Sequence, residues 1–431
     1  MKRRLLEKLI QWKTKPGRMP LIVNGARQVG KTYILKQFGK EYYQNCVYIN
    51  LEINSSANSY FHNDLTPARI IQYLETVSGE RILPGETLVI LDEIQSSERA
   101  LLALKAFSEN APQYHLAAAG SLLGVALNRG GFSYPVGKTD ELTLYPLDFE
   151  EFLWALNKES LASQIQHHFD NDLEMPEALH NIAMEHYKQY LITGGMPAVV
   201  QEYVQSDSFL SVSDILGRIL NDYIADMAKY ANSATGIKIR ACYNSIPAQL
   251  AKENTKFQYK IVQKGGTATI FGESIEWLNF ANIVLKCQKT EHGFMPLGAY
   301  VSLPDFKLYM GDVGMLTMKS GIAHQTILSN RQEDNMFLGA LSENFVAQAF
   351  AAKKYPLYYW KNENTAELDF VLQKDDKIIP VEVKKGMRTK SISLSIFREK
   401  YKNPYAIRIS QKNFGFENNI KSVPFYAAFC I

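Results

Sequence analysis

The chain has 431 residues, of which 46% are hydrophobic and 21% charged, and its formal net charge at pH 7 is +3. This length predicts two to four domains, and the composition is typical of folded proteins, which excludes a low-complexity chain. The small net charge neither favours nor excludes nucleic-acid binding, because a local basic patch can exist within a balanced total.

Three features predict a cytoplasmic protein without a membrane partner. The cysteines have no C-x-x-C spacing, which suits a reducing compartment and argues against a cysteine-type zinc site. Residues 1–15 predict an amphipathic helix and no signal peptide, because the basic residues at positions 2–4 are not followed by an apolar segment. No apolar run is long enough to span a bilayer. The cysteines are Cys46, Cys242, Cys287 and Cys430.

A phosphate-binding loop is predicted between a short apolar strand that begins at Leu21 and a helix that begins near Thr32. The pattern G-x-x-x-x-G-K-[ST] is fulfilled at each of its specified positions, and glycines there let backbone N–H groups approach phosphate oxygens at a helix N-terminus. The lysine can reach the β- and γ-phosphates of ATP, and the threonine hydroxyl can ligate Mg²⁺. The predicted ATP-binding residues of this loop are Gly25, Ala26, Arg27, Gln28, Val29, Gly30, Lys31, Thr32 and Tyr33.

Two acids follow the next strongly apolar segment, residues 87–91, which predicts a buried parallel strand with carboxylates at its C-terminal end. Asp92 is predicted to hold the Mg²⁺ of ATP, and Glu93 to polarise the water that attacks the γ-phosphate. Ser121 follows a further strand and is predicted to contact the γ-phosphate or that water. It can also cap the helix that follows, and the two roles are compatible. Alternating strands and helices predict a doubly wound parallel sheet.

These segments resemble the AAA-type ATPases in which an N-terminal ATP-binding core is joined to a C-terminal domain of unassigned function. The resemblance rests on Gly25–Thr32, Leu88–Gln95, Ala119–Ser121 and Leu144–Leu153. It implies ATP hydrolysis with Mg²⁺ by an α/β, additional-strand P-loop core in residues 1–158, with the acidic strand between the phosphate-loop strand and its neighbours.

A charge-stabilising arginine is a second expectation from the resemblance. Many members have Gly-Arg where this chain has Gly137-Lys138. Lysine is a weaker substitute because it lacks a planar guanidinium. Arg129 is an alternative stabiliser, or an ordinary loop residue.

The middle of the chain predicts helices, in two segments. Residues 159–234 are expected to be a helical linker or lid, with an irregular stretch at Glu159–Pro176 and a sharp turn at Gly194–Pro197. Residues 235–300 are expected to form a winged helix-turn-helix, since helices precede a hairpin of Ile283–Gln288 with Phe294–Leu297, and the resemblance implies the same. Lysines recur there at every fourth position and would form one basic face for DNA on a helix, or a plain solvated surface. They are Lys252, Lys256, Lys260 and Lys264.

Residues 301–431 resemble the PD-(D/E)XK nuclease core. A helix at Asn335–Ala351 carries Glu343, and the strands that follow carry Asp369 and then Glu382-Val383-Lys384. Residues two apart on a strand share a face, so Glu382 and Lys384 are expected together, with Asp369 beside them on the neighbouring strand.

The chemistry expected of that set is metal-dependent cleavage of a phosphodiester. Glu343, Asp369 and Glu382 would hold Mg²⁺ or Mn²⁺, and Lys384 would orient the attacking water or stabilise the transition state. Glu367 is the nearest rival to Asp369. The alternative is a set of salt bridges in a nuclease-like fold without activity. Three further cations, Lys385, Arg388 and Lys390, are candidates for contact with a DNA backbone.

The sequence as a whole predicts an ATPase coupled to a DNA-binding, nuclease-like C-terminal domain, compatible with a homo-oligomer or a partner protein. One rival is a signalling ATPase whose last domain is catalytically silent and binds nucleic acid or protein. The other rival is a regulator that binds ATP and hydrolyses it slowly.

Overall fold

The computed structural model describes residues 1–54, 60–61, 64–121, 137–229, 233–329, 337–362, 366–384 and 392–431. They form two compact units. One comprises residues 2–145 and 280–282, and the other comprises Met1 with residues 146–279 and 283–431. The domain divisions expected after residues 158, 234 and 300 stay predictions. None of the described helices has the length and hydrophobicity that a bilayer crossing requires.

The unit of residues 2–145 is a parallel sheet with helices. The helices are α1 (Leu5–Thr14), α2 (Lys31–Tyr42), α3 (Pro67–Ser78) and α4 (Glu98–Asn110), with a 3₁₀ turn at Ile94–Ser96. The strands are β1 (Leu21–Asn24), β2 (Asn45–Asn50), β3 (Thr87–Asp92), β4 (His115–Ala119) and β5 (Asp140–Thr143).

The strand order is β2-β3-β4-β1-β5, and each neighbouring pair is parallel. All six residues of β3 are buried, as expected for a central strand of a parallel sheet. The predicted parallel sheet is therefore confirmed. The expected place of the acidic strand is corrected, because β4 separates β3 from the phosphate-loop strand β1. All these strands end at one edge, where Asp92 follows Leu91.

The larger unit begins with helices and continues into two mixed sheets. Its helices are α5 (Phe149–Ala155), α6 (Glu159–Asn171), α7 (Glu177–Thr193), α8 (Pro197–Ser206), α9 (Phe209–Lys229), α10 (Ser233–Leu250), α11 (Tyr259–Val262), α12 (Ala268–Phe280), α13 (Val313–Ser320), α14 (His324–Leu328), α15 (Phe337–Ala352) and α16 (Ile392–Tyr401). Its strands are β6 (Val284–Thr290), β7 (Val301–Met310), β8 (Tyr358–Lys361), β9 (Glu367–Leu368), β10 (Phe370–Lys374), β11 (Lys377–Val383), β12 (Ala406–Ser410), β13 (Gly415–Glu417) and β14 (Ile420–Pro424). There are 3₁₀ turns at Leu297–Tyr300 and Phe425–Cys430.

The strand orders of the two sheets are β7-β6-β8-β9 and β10-β11-β12-β14-β13. The predicted hairpin at residues 374–377 joins β10 to β11, which are antiparallel. The strand β11 is parallel to β12, and α16 lies between these two strands in the chain.

Two local expectations about secondary structure in the middle of the chain are wrong. Most of Glu159–Pro176 is the helix α6, whose residues Leu161, Ala162 and Ile165 are buried. Phe294–Leu297 is not a strand, because β6 pairs with β7, which begins at Val301.

The four periodic lysines do not share a helix face, because α10 ends at Leu250 and α11 covers only Tyr259–Val262. Lys256 lies between these helices and forms an ion pair with Asp305. The predicted basic helix face is therefore absent from residues 233–329, which the structure describes.

The glycine turn at residues 194–195 is held by a buried carboxylate. Gly194 has φ 65° and ψ −161°, a backbone region accessible essentially only to glycine. A Cβ on Gly194 would lie 2.1 Å from Oδ1 of Asp312. The Gly195 N–H donates to Asp312 Oδ2 at 2.6 Å, and the Met315 N–H donates to Oδ1 at 3.1 Å. One carboxylate thus fixes this turn and caps α13.

Two buried amides of α15 connect segments that are distant in the chain. Asn344 pairs with both backbone groups of Met310, at 2.7 Å to its N–H and 3.0 Å to its carbonyl. Gln348 accepts from the Val313 N–H at 3.0 Å and donates to the Tyr190 hydroxyl at 2.8 Å. The helix α15 therefore satisfies polar groups of β7, α13 and α7.

Candidate functional site

The phosphate-loop backbone has the compact form that the sequence predicts. Gly25 has φ 143°, and a Cβ there would lie 2.2 Å from the Leu144 carbonyl oxygen, so a side chain cannot be accommodated. Arg3, which the sequence analysis did not identify, supports the loop by donating to the carbonyls of Val29, at 3.1 Å, and Tyr145. No local motif identifies Arg3, because the carbonyl of Val29 that it binds lies 26 residues further along the chain.

Other predicted loop residues differ in exposure. Ala26 and Val29 are buried, whereas Tyr33 at the start of α2 is 60% exposed. Arg27 and Gln28 lie in the loop, and Gln28 has φ 63°.

Lys31 is buried and bound to the loop itself. Its ammonium donates to the carbonyls of Gly25, at 2.9 Å, and Ala26, at 2.7 Å. Burial lowers the pKa of Lys31 to about 8, although the carboxylates of Glu93 and Asp92 act in the opposite direction. A phosphate entering the loop would offer Lys31 charged acceptors in place of these carbonyls.

Asp92 is the acceptor for two hydroxyl groups. Its Oδ2 accepts from Thr32 at 2.7 Å and from Tyr48 at 2.9 Å. The two residues predicted to bind the Mg²⁺ of ATP are therefore adjacent. Tyr48 was not predicted, although the alternation of β2 places it on the same face as Asn50, which pairs with Asp92. The Lys36 ammonium lies 3.4 Å from the centre of the Tyr48 ring.

Glu93 follows β3 in a left-handed conformation, with φ 52°. Its Oε2 accepts from the Ser121 hydroxyl at 3.3 Å and from the Gln95 amide nitrogen. The amide oxygen of Gln95 is buried without a hydrogen-bond partner among the described residues. Gln95 was not among the predicted site residues, and it restrains Glu93, the predicted general base.

Of the two expected charge stabilisers, the structure describes only Lys138. Lys138 forms an ion pair with Glu109 at 3.0 Å, and both side chains are exposed. Arg129 lies outside the described residues.

In the larger unit, a buried lysine is surrounded by acids. Lys307 of β7 is 1% exposed, and its ammonium lies 3.0 Å from Glu343 and 2.8 Å from Glu367. Tyr309 also donates to Glu343. Burial by itself lowers the pKa of Lys307, but the carboxylates of Glu343, Glu367 and Asp369 raise it well above its ordinary value. Lys307 therefore supplies a permanent positive charge to this group.

The other predicted nuclease residues lie together, with Asp369 directly before β10, Glu382 on β11 and Lys384 directly after β11. The pairing of Phe370 with Val381 places Asp369 beside Glu382, and Asp369 Oδ2 accepts from the Val383 N–H at 2.7 Å. The Lys384 ammonium lies 2.9 Å from Glu382 Oε1. Burial and the nearby charge of Glu343 raise the pKa of Asp369.

A three-carboxylate metal site is not found in the part of the chain that the structure describes. No group of three or more His, Cys, Asp or Glu side chains there could hold a metal ion. The physical reason is that Lys307 and Tyr309 engage Glu343, a role that the motif itself does not reveal. Asp369 and Glu382 still fit a divalent ion as a pair, since Glu382 Oε2 is buried without a hydrogen-bond partner among the described residues and Mg²⁺ is commonly held by one or two carboxylates. Lys385, Arg388 and Lys390 lie outside the described residues.

Family comparison identifies three segments of the chain. Residues 17–153 match the family described as AAA domain. Residues 184–326 and 338–428 match two domains of unknown function, DUF8612 and DUF4143. The predicted AAA-type P-loop core is confirmed by the first match, whereas the other two assign no activity.

The curated relatives are uncharacterized proteins of Mycobacterium tuberculosis and Mycobacterium bovis. Each is 37% identical over 92 residues, which is 21% of this chain and 20% of the relative. The match thus spans one fifth of the length of these relatives.

Solved structures with similarity include AMPPCP-bound DnaA from Aquifex aeolicus, at 12% identity and TM-score 0.29, over 64% of this chain and 87% of that chain. The Aeropyrum pernix ORC1 protein in complex with DNA has 12% identity and TM-score 0.28, over 80% and 92%. The RuvB Holliday junction branch migration motor of Thermotoga maritima has 12% identity and TM-score 0.31, over 66% and 89%. At these scores the alignments support no inference about this chain.

Proposed function

We propose that the AAA-type core binds ATP with Mg²⁺ and hydrolyses it. The observation that carries this proposal is the 2.7 Å contact of Thr32 with Asp92, beside Lys31 and Glu93. These are the groups that the chemistry requires, brought together at the C-terminal edge of a parallel sheet.

Each group has a distinct role in the proposed reaction. The loop N–H groups and Lys31 hold the phosphates, while Thr32 and Asp92 hold the metal ion directly or through water. When bound, Mg²⁺ neutralises charge that develops on the phosphate oxygens. Glu93 accepts a proton from the attacking water, and Ser121 and Gln95 fix the position of its carboxylate.

Two substitutions test this proposal. Lys31→Ala should abolish tight ATP binding, whereas Glu93→Gln should bind ATP and hydrolyse it far more slowly than the wild type. Equilibrium binding and single-turnover hydrolysis measure both effects. Hydrolysis by Glu93→Gln at the wild-type rate would show that Glu93 is not the base. A slow single-turnover rate in the wild type would favour a regulatory ATP-binding protein over a motor.

We propose in addition that the larger unit acts on DNA, with ATP turnover coupled to that action. The support is the sequence order of a helix, Asp369 and then Glu382-Val383-Lys384, which suits chemistry on a phosphodiester. DNA affinity should therefore fall steeply as salt concentration rises.

Metal-dependent DNA cleavage is a second candidate function, favoured by the Oε2 of Glu382, which has no hydrogen-bond partner in the described part of the chain. Asp369 and Glu382 would hold Mg²⁺ or Mn²⁺, and Lys384 would orient the attacking water. A plasmid and an oligonucleotide incubated with metal, with and without ATP, test for cleavage. Asp369→Asn should abolish cleavage and leave ATP hydrolysis intact. Failure of the wild type to cut either substrate would favour the catalytically silent binding module.

A further inference from the structure

A cavity of about 570 Å³ opens beside the end of β8, and its lining is rich in cations. It lies within the larger unit and is separate from the phosphate loop. The cavity lining includes Lys289, His292, Lys361 and Lys400, and Glu291 is its acidic member.

Two of these lysines share their acidic partners with other lysines. Asp305 lies 3.6 Å from the Lys289 ammonium, and the same carboxylate also pairs with Lys256. Glu367 lies 2.8 Å from both Lys361 and Lys307. Asp305 cannot neutralise both of its lysines, so Lys289 keeps positive charge that an anion would relieve, whereas Lys307 and Lys361 are balanced by Glu343 and Glu367 together.

Lys400 adds an exposed cation from α16 to the cavity lining. Within the described part of the chain it has no carboxylate partner, and its ammonium lies 5.2 Å from the centre of the Tyr401 ring. Cations thus reach the cavity from both β6 and α16, an arrangement that suits a phosphate group.

An exposed aromatic side chain lies next to His292 of the cavity lining. Phe294 is 53% exposed, and its ring centre lies 6.2 Å from that of His292 and 5.1 Å from that of Tyr401. A Cβ on Gly293 would lie 2.4 Å from the Phe397 ring, so the loop is packed tightly against α16. Phe294 is therefore held on a rigid support with its ring available for stacking.

We propose that this cavity and Phe294 bind single-stranded nucleic acid, with a phosphate among the lysines and an unpaired base stacked on Phe294. Cationic grooves combined with exposed aromatic rings are the means by which proteins hold single strands. Bases in a duplex are already stacked on their neighbours, so the single strand is favoured. This inference rests on the proposed action of the larger unit on DNA.

The experiment measures binding of full-length protein to a labelled 20-nucleotide single strand and to the matching duplex by fluorescence anisotropy, at several salt concentrations. The single strand should bind at least about tenfold more tightly than the duplex. Phe294→Ala should weaken single-strand binding by about fivefold or more, the effect of losing one stacked base. Lys400→Gln should also weaken it and should reduce the slope of log affinity against log salt by about 0.7.

Two matched controls carry the same chemical changes elsewhere on the larger unit. Phe416→Ala removes another exposed phenylalanine, which is 49% exposed, and Lys264→Gln neutralises one of the periodic lysines. Both should leave affinity within twofold of the wild type. Phe294 and Lys400 are exposed, so their substitution should leave the fold intact, and thermal denaturation verifies this for each variant.

Several results would overturn the inference. Equal losses in the control variants, or unchanged binding by both Phe294→Ala and Lys400→Gln, would place the DNA site elsewhere while leaving the proposed DNA binding intact. Wild-type protein that binds neither strand form at low salt would reject DNA binding itself, with ATP hydrolysis still measured separately. In a Lys31→Ala background, thymidine monophosphate binding as tight as the single strand would reject a polynucleotide site in favour of a free-nucleotide site.

Discussion

The Lys307 ammonium lies 3.0 Å from the Glu343 carboxylate. The nuclease motif assigns this same carboxylate to a metal ion. The lysine also bridges to Glu367 at 2.8 Å, so one buried cation compensates two acids from separate elements. Glu343 is consequently a structural partner of Lys307, and among the described residues Asp369 and Glu382 are the pair of this set left to a divalent ion.

Loss of the Lys307 charge should destabilise the larger unit strongly. Lys307→Met leaves Glu343 and Glu367 without their buried cation, and breaking one side of a buried ion pair costs about 3–5 kcal/mol. Urea denaturation followed by circular dichroism measures this loss. Lys361→Met is the matched control, because the Lys361 side chain is 34% exposed and also pairs with Glu367, and it should cost less than about 1 kcal/mol. Equal costs for the two variants would contradict the assigned role of Lys307.

Removal of the Tyr48 hydroxyl should raise the Mg²⁺ concentration needed for ATP hydrolysis. Tyr48 holds Asp92 Oδ2 at 2.9 Å, and one hydrogen bond is worth about 1 kcal/mol, or about fivefold in apparent metal affinity. The test titrates Mg²⁺ at saturating ATP for Tyr48→Phe, with Tyr114→Phe as the control. ATP binding in the presence of a chelator should be unchanged. A lower maximal rate without a shift in the Mg²⁺ titration would show that Tyr48 does not act through Asp92.

ATP binding should be accompanied by proton uptake at mildly alkaline pH. The pKa of Lys31 in the free protein is about 8 because of burial, so at pH 8.5 most of the lysine is neutral. Bound phosphates favour the ammonium form, which raises the pKa and draws a proton from the buffer. Calorimetric titrations in two buffers of different ionisation enthalpy measure this uptake, which should be small at pH 7. Identical heats in both buffers at pH 8.5 would contradict the prediction.

A side chain at position 194 should destabilise the larger unit. Gly194→Ala forces an unfavourable backbone conformation, costing about 1–3 kcal/mol, and also displaces Asp312 from the turn. Chemical denaturation measures the change against Gly217→Ala, a control in α9 where the nearest atom to an added Cβ is 3.6 Å away. Equal stability of Gly194→Ala and Gly217→Ala would mean that the turn adapts readily.

The sequence predicted best those features that depend on neighbouring residues. The phosphate loop and the acids after β3 follow from local patterns. For the loop, a strand, a glycine-bounded turn and the first residues of a helix all lie within twelve consecutive residues. The groups that orient them were missed, because Arg3 and Tyr48 reach the loop and Asp92 through tertiary contacts that no spacing rule encodes.

The spacing of the four lysines gave a wrong prediction because the helix that it assumed is interrupted. Lysines at every fourth position form one face only on a continuous helix, and the chain between Leu250 and Tyr259 is not helical. Similarly, a carboxylate motif predicts which acids approach one another, but it cannot reveal that Lys307, from an earlier strand, lies among them.

The amides of Asn344 and Gln348 have a consequence for synthesis of the chain on the ribosome. The backbone groups of Met310 and the N–H of Val313 pair with these two side chains, and the hydroxyl of Tyr190 accepts from one of them. Those earlier segments therefore leave the ribosome before their partners exist, and a nascent chain that ends before α15 would expose them. We expect the larger unit to finish folding only after residue 348 has emerged from the ribosome. It should therefore need chaperones later than the smaller unit does.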